Sequence, residues 1–237
     1  MSNDVTAPRQ HSAPGFMICL GWVAILGCVI FAVSILIADF VVPNHDWIAD
    51  TISDLGAGRY EFIVDIGIYA FSAALIACAL LCAHVHFGDR WWSIATIGLA
   101  LLGLIVFLVG ARNEYGDRDS DGVVIHVYLV YALGLIMLAV PWLLSKGFAD
   151  ISAFLAKALK VISLMWLVSA PPFFFLPTGI DGIYERYLGL IAMAMVVLLG
   201  RFFIQRGKAL NGGHGECFST TFRSISSPVR FCFLPLR

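Results

Sequence analysis

Five residues of this chain have types and spacing that could do chemistry together: Ser53, Asp54, Glu61, Asp65 and His126. A histidine titrates near neutrality and can carry a proton. A carboxylate can orient it, and a serine hydroxyl becomes a nucleophile once a base takes its proton. Asp54, Glu61 and Asp65 stand seven and four residues apart, which on one continuous helix would place all three on one face. Gly56 and Gly58 interrupt such a helix, so only Glu61 and Asp65 are secure as neighbours on a face. Asp65 and His126 each fall about one turn inside an apolar stretch. A charge in hydrocarbon costs about 2.5 kcal/mol or more at the bilayer centre and less near its boundary, so such residues face the bundle interior.

Two readings of these residues stay open. In the structural one, Asp65 pairs with Arg59 or Arg112 or snorkels outward, and His126 fixes packing through a hydrogen bond. In the functional one, His126 is a general acid/base or a metal ligand beside Asp54, Glu61 or Asp65, with Ser53 as nucleophile.

A second group lies in the loop around Asp117, Asp119, Asp121 and Gly122. Carboxylates at alternate positions before a glycine match the first half of a calcium-binding loop. The bidentate glutamate that closes such a loop is replaced by Tyr128. The expectation is a solvated acidic loop, with weak divalent-cation binding as the alternative. Cys78 and Cys82 share a helix face without a histidine or acid beside them and read as packing residues. Serine-hydrolase elbows, zinc-protease motifs, phosphate-binding loops and Cys-x-x-Cys pairs are missing, and no cofactor is indicated.

The elements that must position these groups are apolar. The chain of 237 residues is 60% hydrophobic and 13% charged, with a mean hydropathy of +0.89. A soluble domain is about a quarter charged. Six apolar stretches, near 16–37, 62–83, 92–111, 123–144, 158–176 and 184–204, approach the roughly 20 residues that span a bilayer. They are too long and too uniform for membrane strands. The expected fold is all-α, an integral membrane six-helix bundle. A polar segment at 1–15 precedes the bundle at 16–206, and a tail at 207–237, disordered or lying on the membrane surface, follows it. Pro171-Pro172 predicts an irregular helix end near Ala170. Ala73 with Ala77, Gly98 with Gly103, and Gly189 with Ala192 predict close helix approach.

Lys and Arg orient the bundle. With the N-terminus cytoplasmic, eleven fall inside and four (Arg59, Arg112, Arg118, Arg186) outside. Both termini are then cytoplasmic in a multi-pass cell-membrane protein, the plasma or inner membrane if the source is prokaryotic. Ser53, Asp54, Glu61, Asp65 and His126 then gather near the outer leaflet. Membrane lipids are the expected partners. A net charge of −1 gives no case for nucleic acid.

The run Ile52-Ser53-Asp54-Leu55-Gly56, the acid Glu61 opening the second stretch and His126 opening the fourth resemble six-span membrane proteins of the Frag/DRAM/Sfk group. The likeness is nearest to the prokaryotic family catalogued as domain of unknown function 998, and it covers about 16–204. It implies the six-helix fold and points to Ser53, Asp54, Glu61 and His126, with no reaction attached. Eukaryotic members are linked to lipid-anchor remodelling and autophagy-related membrane processes. Arg59-Tyr60, where those relatives tend to carry prolines, and the Asp-rich second loop depart from the pattern. Three functions follow as expectations. The first is a lipid- or partner-binding scaffold in which Asp54 caps the second span while Glu61 and His126 tie spans two and four together. The second is an outer-leaflet lipid-processing enzyme using His126 with Asp54, Glu61 and Ser53. The third is a small transporter, which the lack of charge at mid-membrane depth disfavours.

Overall fold

A computed structural model describes residues 13–56, 59–87, 89–111, 125–177 and 179–220, without the side chains of 125 and 213–220. The expected all-helical architecture is what these residues form. The helices are α1 (Pro14–Val41), α2 (Ile52–Leu55), α3 (Glu61–Val85), α4 (Arg90–Ala111), α5 (Ile125–Gly147), α6 (Ala153–Phe173) and α7 (Asp181–Thr220). All but the one-turn α2 are long and apolar enough to cross a membrane. In hydrocarbon every backbone N–H and C=O must be satisfied within the protein, and a helix does this inside one segment. Large apolar side chains point away from the bundle, among them Leu135 at 71% and Val168 at 73% exposure. Lipid rather than water suits such a surface. The chain is a multi-pass membrane protein.

Each long helix packs against its neighbours in sequence, and α7 returns against α1 to close a ring whose sparsest seam is α6–α7. Small residues set the tight seams. A Cβ on Gly27 would meet the Ala70 carbonyl oxygen of α3, and one on Gly21 would stand 2.8 Å from the Gly200 carbonyl oxygen of α7. Ser72 Oγ donates across α3–α4 to the Gly103 carbonyl at 2.7 Å, and Ser163 Oγ across α6–α5 to the Leu138 carbonyl at 2.8 Å. The expected small-residue pairs divide. A Cβ on Gly98 or Gly103 would stand 2.5 Å from Val140 or 2.7 Å from Ile76, so both glycines lie at true contacts. Ala77 is buried, but Ala73 faces outward. Gly189 has nothing within 4 Å of a Cβ position, so its smoothness opens space instead of admitting a helix.

Helix ends differ from the apolar boundaries where caps or tertiary contacts decide. α6 starts ahead of residue 158 because Ser152 Oγ accepts the Leu155 N–H at 3.3 Å. It finishes as expected at the prolines. Neither Pro171 nor Pro172 has an N–H to donate, and the chain leaves through turns from Phe174 N to the Pro171 carbonyl (3.3 Å) and Phe175 N to the Pro172 carbonyl (2.9 Å). At the other boundary, α7 does not stop near 206 but carries the first part of the expected tail to Thr220. Gly207 lies close against Pro14 and Ile18 of α1, and Arg206 lies over the Phe87 ring at 4.7 Å. Lys208, Ala209 and Leu210 are strong helix formers.

The end of the bundle away from α2 is solid. Phe87, Trp92, Phe148, Phe202 and Phe203 meet edge to face, with the Phe148 and Phe202 centroids 5.0 Å apart. Trp92 Nε1 donates to the Cys82 carbonyl at 2.8 Å.

Candidate functional site

The site is built from a short roof, a clamp and a chamber. The roof is α2. Thr51 and Asp54 form a reciprocal cap: Thr51 Oγ1 accepts the Asp54 N–H at 3.1 Å, while Asp54 Oδ2 accepts the Thr51 N–H at 2.7 Å and its hydroxyl at 2.8 Å. One turn is too short to stand alone. It is held by burial of Ile52 and Leu55 and by the Ile52 N–H, which donates to Glu185 Oε2 of α7 at 2.5 Å.

The clamp ties the 42–51 segment to the start of α7. Arg186 Nη2 donates to Asp39 Oδ1 at 2.5 Å, and its Nη1 to the Asp50 and Gly182 carbonyls at 2.9 and 3.0 Å. His45 is wedged between Asp39 (3.1 Å) and Asp50 (3.4 Å), its side chain 3% exposed. Two backbone bonds complete the join, from Gly182 N to the Ala49 carbonyl (3.2 Å) and Ile183 N to the Ile48 carbonyl (3.0 Å).

Under this roof lies a cavity of about 190 Å³. Phe31, Phe71, Val106, Leu133, Trp166 and Leu188 supply apolar wall, while Ser53, Asp65, His126 and Glu185 give it a polar rim. Two glycines on the wall, Gly134 and Gly189, have nothing within 4 Å of a Cβ position. The volume is thus partly written into the sequence as missing side chains. Trp166 spans from α6 to donate its Nε1–H to the Gly134 carbonyl at 2.9 Å. A second hollow, between α5 and α6 and bordered by exposed Leu135 and Phe175, shares Gly134, Trp166, Ala170 and Phe174 with the cavity.

The five residues expected to act together are brought partly together. Ser53 Oγ lies 3.4 Å from His126 Nε2, and the histidine is buried at 7% exposure. Asp65 joins them on the rim. Asp54 and Glu61 are not among the described residues lining the cavity. Asp54 caps the turn before the second span rather than the span itself, because Gly56 ends that turn. Glu61 opens α3 one turn ahead of Asp65. An ion pair of Asp65 with Arg59 does not form: Arg59 lies over the Tyr60 ring at 5.9 Å, and Asp65 Oδ1 is buried without a hydrogen-bond partner. Arg112, Asp117, Asp119 and Asp121 lie outside the described residues. Among the described residues, no three His, Cys, Asp or Glu side chains are placed to hold a metal ion.

Glu185, Arg186, His45 and Asp39 were missed as site residues. A signal existed for two of them, since Glu185-Arg186 puts adjacent charges about one turn into an apolar stretch. His45 and Asp39 find their partners only through the fold.

No curated protein and no solved structure matches the chain. A family model does, over residues 25–201, which takes in every described residue lining the cavity. The chain belongs to the family described as Protein of unknown function (DUF998).

Proposed function

We propose that this protein binds an amphiphilic lipid, with an apolar chain in the cavity and the polar end at Ser53, Asp65, His126 and Glu185. The observation that carries this is the division of the chamber into a hydrocarbon-like wall and one polar rim. Ligand sites are mostly apolar with a few placed polar groups. An apolar cavity of about 150 Å³ is already enough to bind a benzene-sized molecule, so this one suits a segment of chain. The eleven-to-four bias of Lys and Arg favours the rim at the outer leaflet of a cell membrane, with both termini cytoplasmic.

The test is retention of lipid by the purified protein, read by native mass spectrometry, with Gly189→Leu as the variant. Leucine at 189 enters open space, so the fold should survive while a chain is displaced. At least a tenfold fall in lipid-bound protein is expected. Equal occupancy in wild type and variant would place the lipid elsewhere.

A second reading, lipid processing, is favoured by the approach of Ser53 Oγ to His126 Nε2. If the hydroxyl donates to the ring nitrogen, the serine oxygen can attack an ester carbonyl as the proton moves to His126. The same proton then leaves with the departing alcohol, and water later hydrolyses the acyl-serine. A fluorophosphonate probe should then label Ser53, with labelling lost in Ser53→Ala and reduced at least a hundredfold in His126→Gln. A protein that binds lipid but takes no label supports the binding role alone.

A further inference from the structure

The chamber lies beside the hollow between α5 and α6, on the lipid-facing side of the bundle. Gly134, Trp166, Ala170 and Phe174 line both spaces. The outer hollow adds Leu135 and Leu167, which are 71% and 48% exposed. Gly134 brings no side chain to the shared wall, and nothing stands within 4 Å of a Cβ position there. Gly134 and Trp166 both lie well inside their helices, at a depth where the bilayer holds no water. Acyl chains are what fills an apolar hollow facing outward at that depth.

The two seams of α6 differ at this level. Toward α7, Tyr184 Oη donates to the Ser169 carbonyl at 2.8 Å, and Ser169 Oγ lies 3.1 Å from Tyr187 Oη. Toward α5, Ser163 Oγ holds the Leu138 carbonyl, and one turn nearer α2 Trp166 Nε1 holds the Gly134 carbonyl at 2.9 Å. Nearer α2 again, the rings of Tyr131 and Phe174 meet with centroids 4.8 Å apart, each more than a third exposed. Among the described residues, then, α6 is hydrogen-bonded to α7 at the level where its contact with α5 passes to rings. Rings turn about side-chain torsions, and no backbone bond breaks when they do. Phe174 itself lies in the turn that follows the two prolines. We propose that the lipid reaches the chamber sideways from the surrounding leaflet, between α5 and α6. The outer hollow seats the chain first, Tyr131 and Phe174 swing aside, and the Trp166–Gly134 bond is the bar across the entrance. This rests on the lipid-binding reading and names where its ligand comes from: the hydrocarbon of the bilayer, not the water beyond α2.

An entrance sets how fast a ligand exchanges and leaves its equilibrium occupancy alone, which separates the route from the site. The full chain is loaded with a mixture of phosphatidylcholine and phosphatidylglycerol. It is then mixed with excess micelles of the same two lipids carrying perdeuterated chains, and exchange is followed by native mass spectrometry. The chamber lipid is the fraction lost in Gly189→Leu. Leu135→Trp with Leu167→Trp puts bulk in the outer hollow, at lipid-facing positions that do not line the chamber. Exchange should slow at least tenfold while occupancy stays within twofold. Trp166→Phe keeps a ring in place but loses the N–H, and exchange should quicken at least threefold. Unchanged exchange in the doubly substituted protein would overturn the route and leave the lipid-binding reading standing, with entry past α2 instead. Occupancy that falls with the added bulk would make the hollow the site rather than the way in, and would overturn the route too. If Gly189→Leu loses no lipid, both readings fall. Exchange no faster in Trp166→Phe than in wild type would overturn the bar, even if the doubly substituted protein did not fold.

Discussion

Replacing Arg186 with methionine should lower the stability of the protein by about 3–5 kcal/mol, the range for breaking a buried ion pair from one side. The guanidinium is 14% exposed and its Asp39 partner 13%, so water screens each charge only in part. Methionine keeps most of the stem but leaves the Asp39 carboxylate facing only His45. It also removes the side-chain hydrogen bonds to the Asp50 and Gly182 carbonyls. Unfolding in mixed detergent would show the loss. Asp39→Asn alone should cost less, because a neutral amide can still accept from the guanidinium. In the double mutant the two effects should fall short of their sum by more than 1 kcal/mol, the mark of a direct pair. A loss under about 1 kcal/mol for Arg186→Met would mean the pair behaves as a solvated surface bridge, and the clamp would lose its role as the anchor of the roof.

Gly182→Val should detach the roof itself. A Cβ at 182 would overlap the Asp50 carbonyl oxygen and crowd Ala49, and both are backbone that cannot swing away as a side chain would. Gly182 is here for space. The two backbone bonds from Gly182 and Ile183 to the 48–49 segment must break before the branched side chain fits. Overpacking usually costs about 1–3 kcal/mol, and the loss should fall locally on the 42–56 segment. Limited proteolysis should cut that segment at least tenfold faster than in wild type, while the helices resist as before. Displacing α2 also moves Ser53 from His126, so lipid retention should fall with it. Unchanged proteolysis would mean that the loop does not dock on α7 as described.

The spans were legible because a bilayer leaves the chain little choice: about 20 apolar residues make one crossing. What the apolar pattern could not give was decided by contacts between distant residues. The last apolar stretch ends near residue 204, and the Gly-, Ser- and Arg-rich chain from Gly207 reads as a disordered or surface-lying tail. Contacts of Gly207 with α1 and of Arg206 with Phe87 carry the helix onward. Gly98, Gly103 and Gly189 look alike in sequence, yet the first two admit a neighbouring side chain and the third borders the cavity. Spacing shows that a helix face is smooth and says nothing about whether a neighbour fills it.

The site was half legible for a related reason. Ser53 and His126 drew attention as polar residues at the edges of apolar stretches, and they do meet. Asp54 drew the same attention, but it closes a cap with Thr51 three residues away, and that Thr51-x-x-Asp54 cap could have been read directly from the sequence. Glu185 and Arg186 reach partners 133 and 147 residues distant, beyond any local pattern. His45 sits in a polar loop that looks solvated until Asp39, Asp50 and Arg186 close around it.

The central claim is that a lipid chain enters the ring of helices rather than only coating it. Photolabelling tests it most directly. A lipid with a photoreactive group on its chain is irradiated with the protein in nanodiscs, and the adducts are mapped by peptide mass spectrometry. Adducts should appear on Leu133, Leu188 and Ala192 within the ring, and should drop at least tenfold with Gly189→Leu while adducts on outward-facing Leu135 and Val168 persist. Labelling confined to Leu135, Val168 and other outward-facing residues would contradict the account.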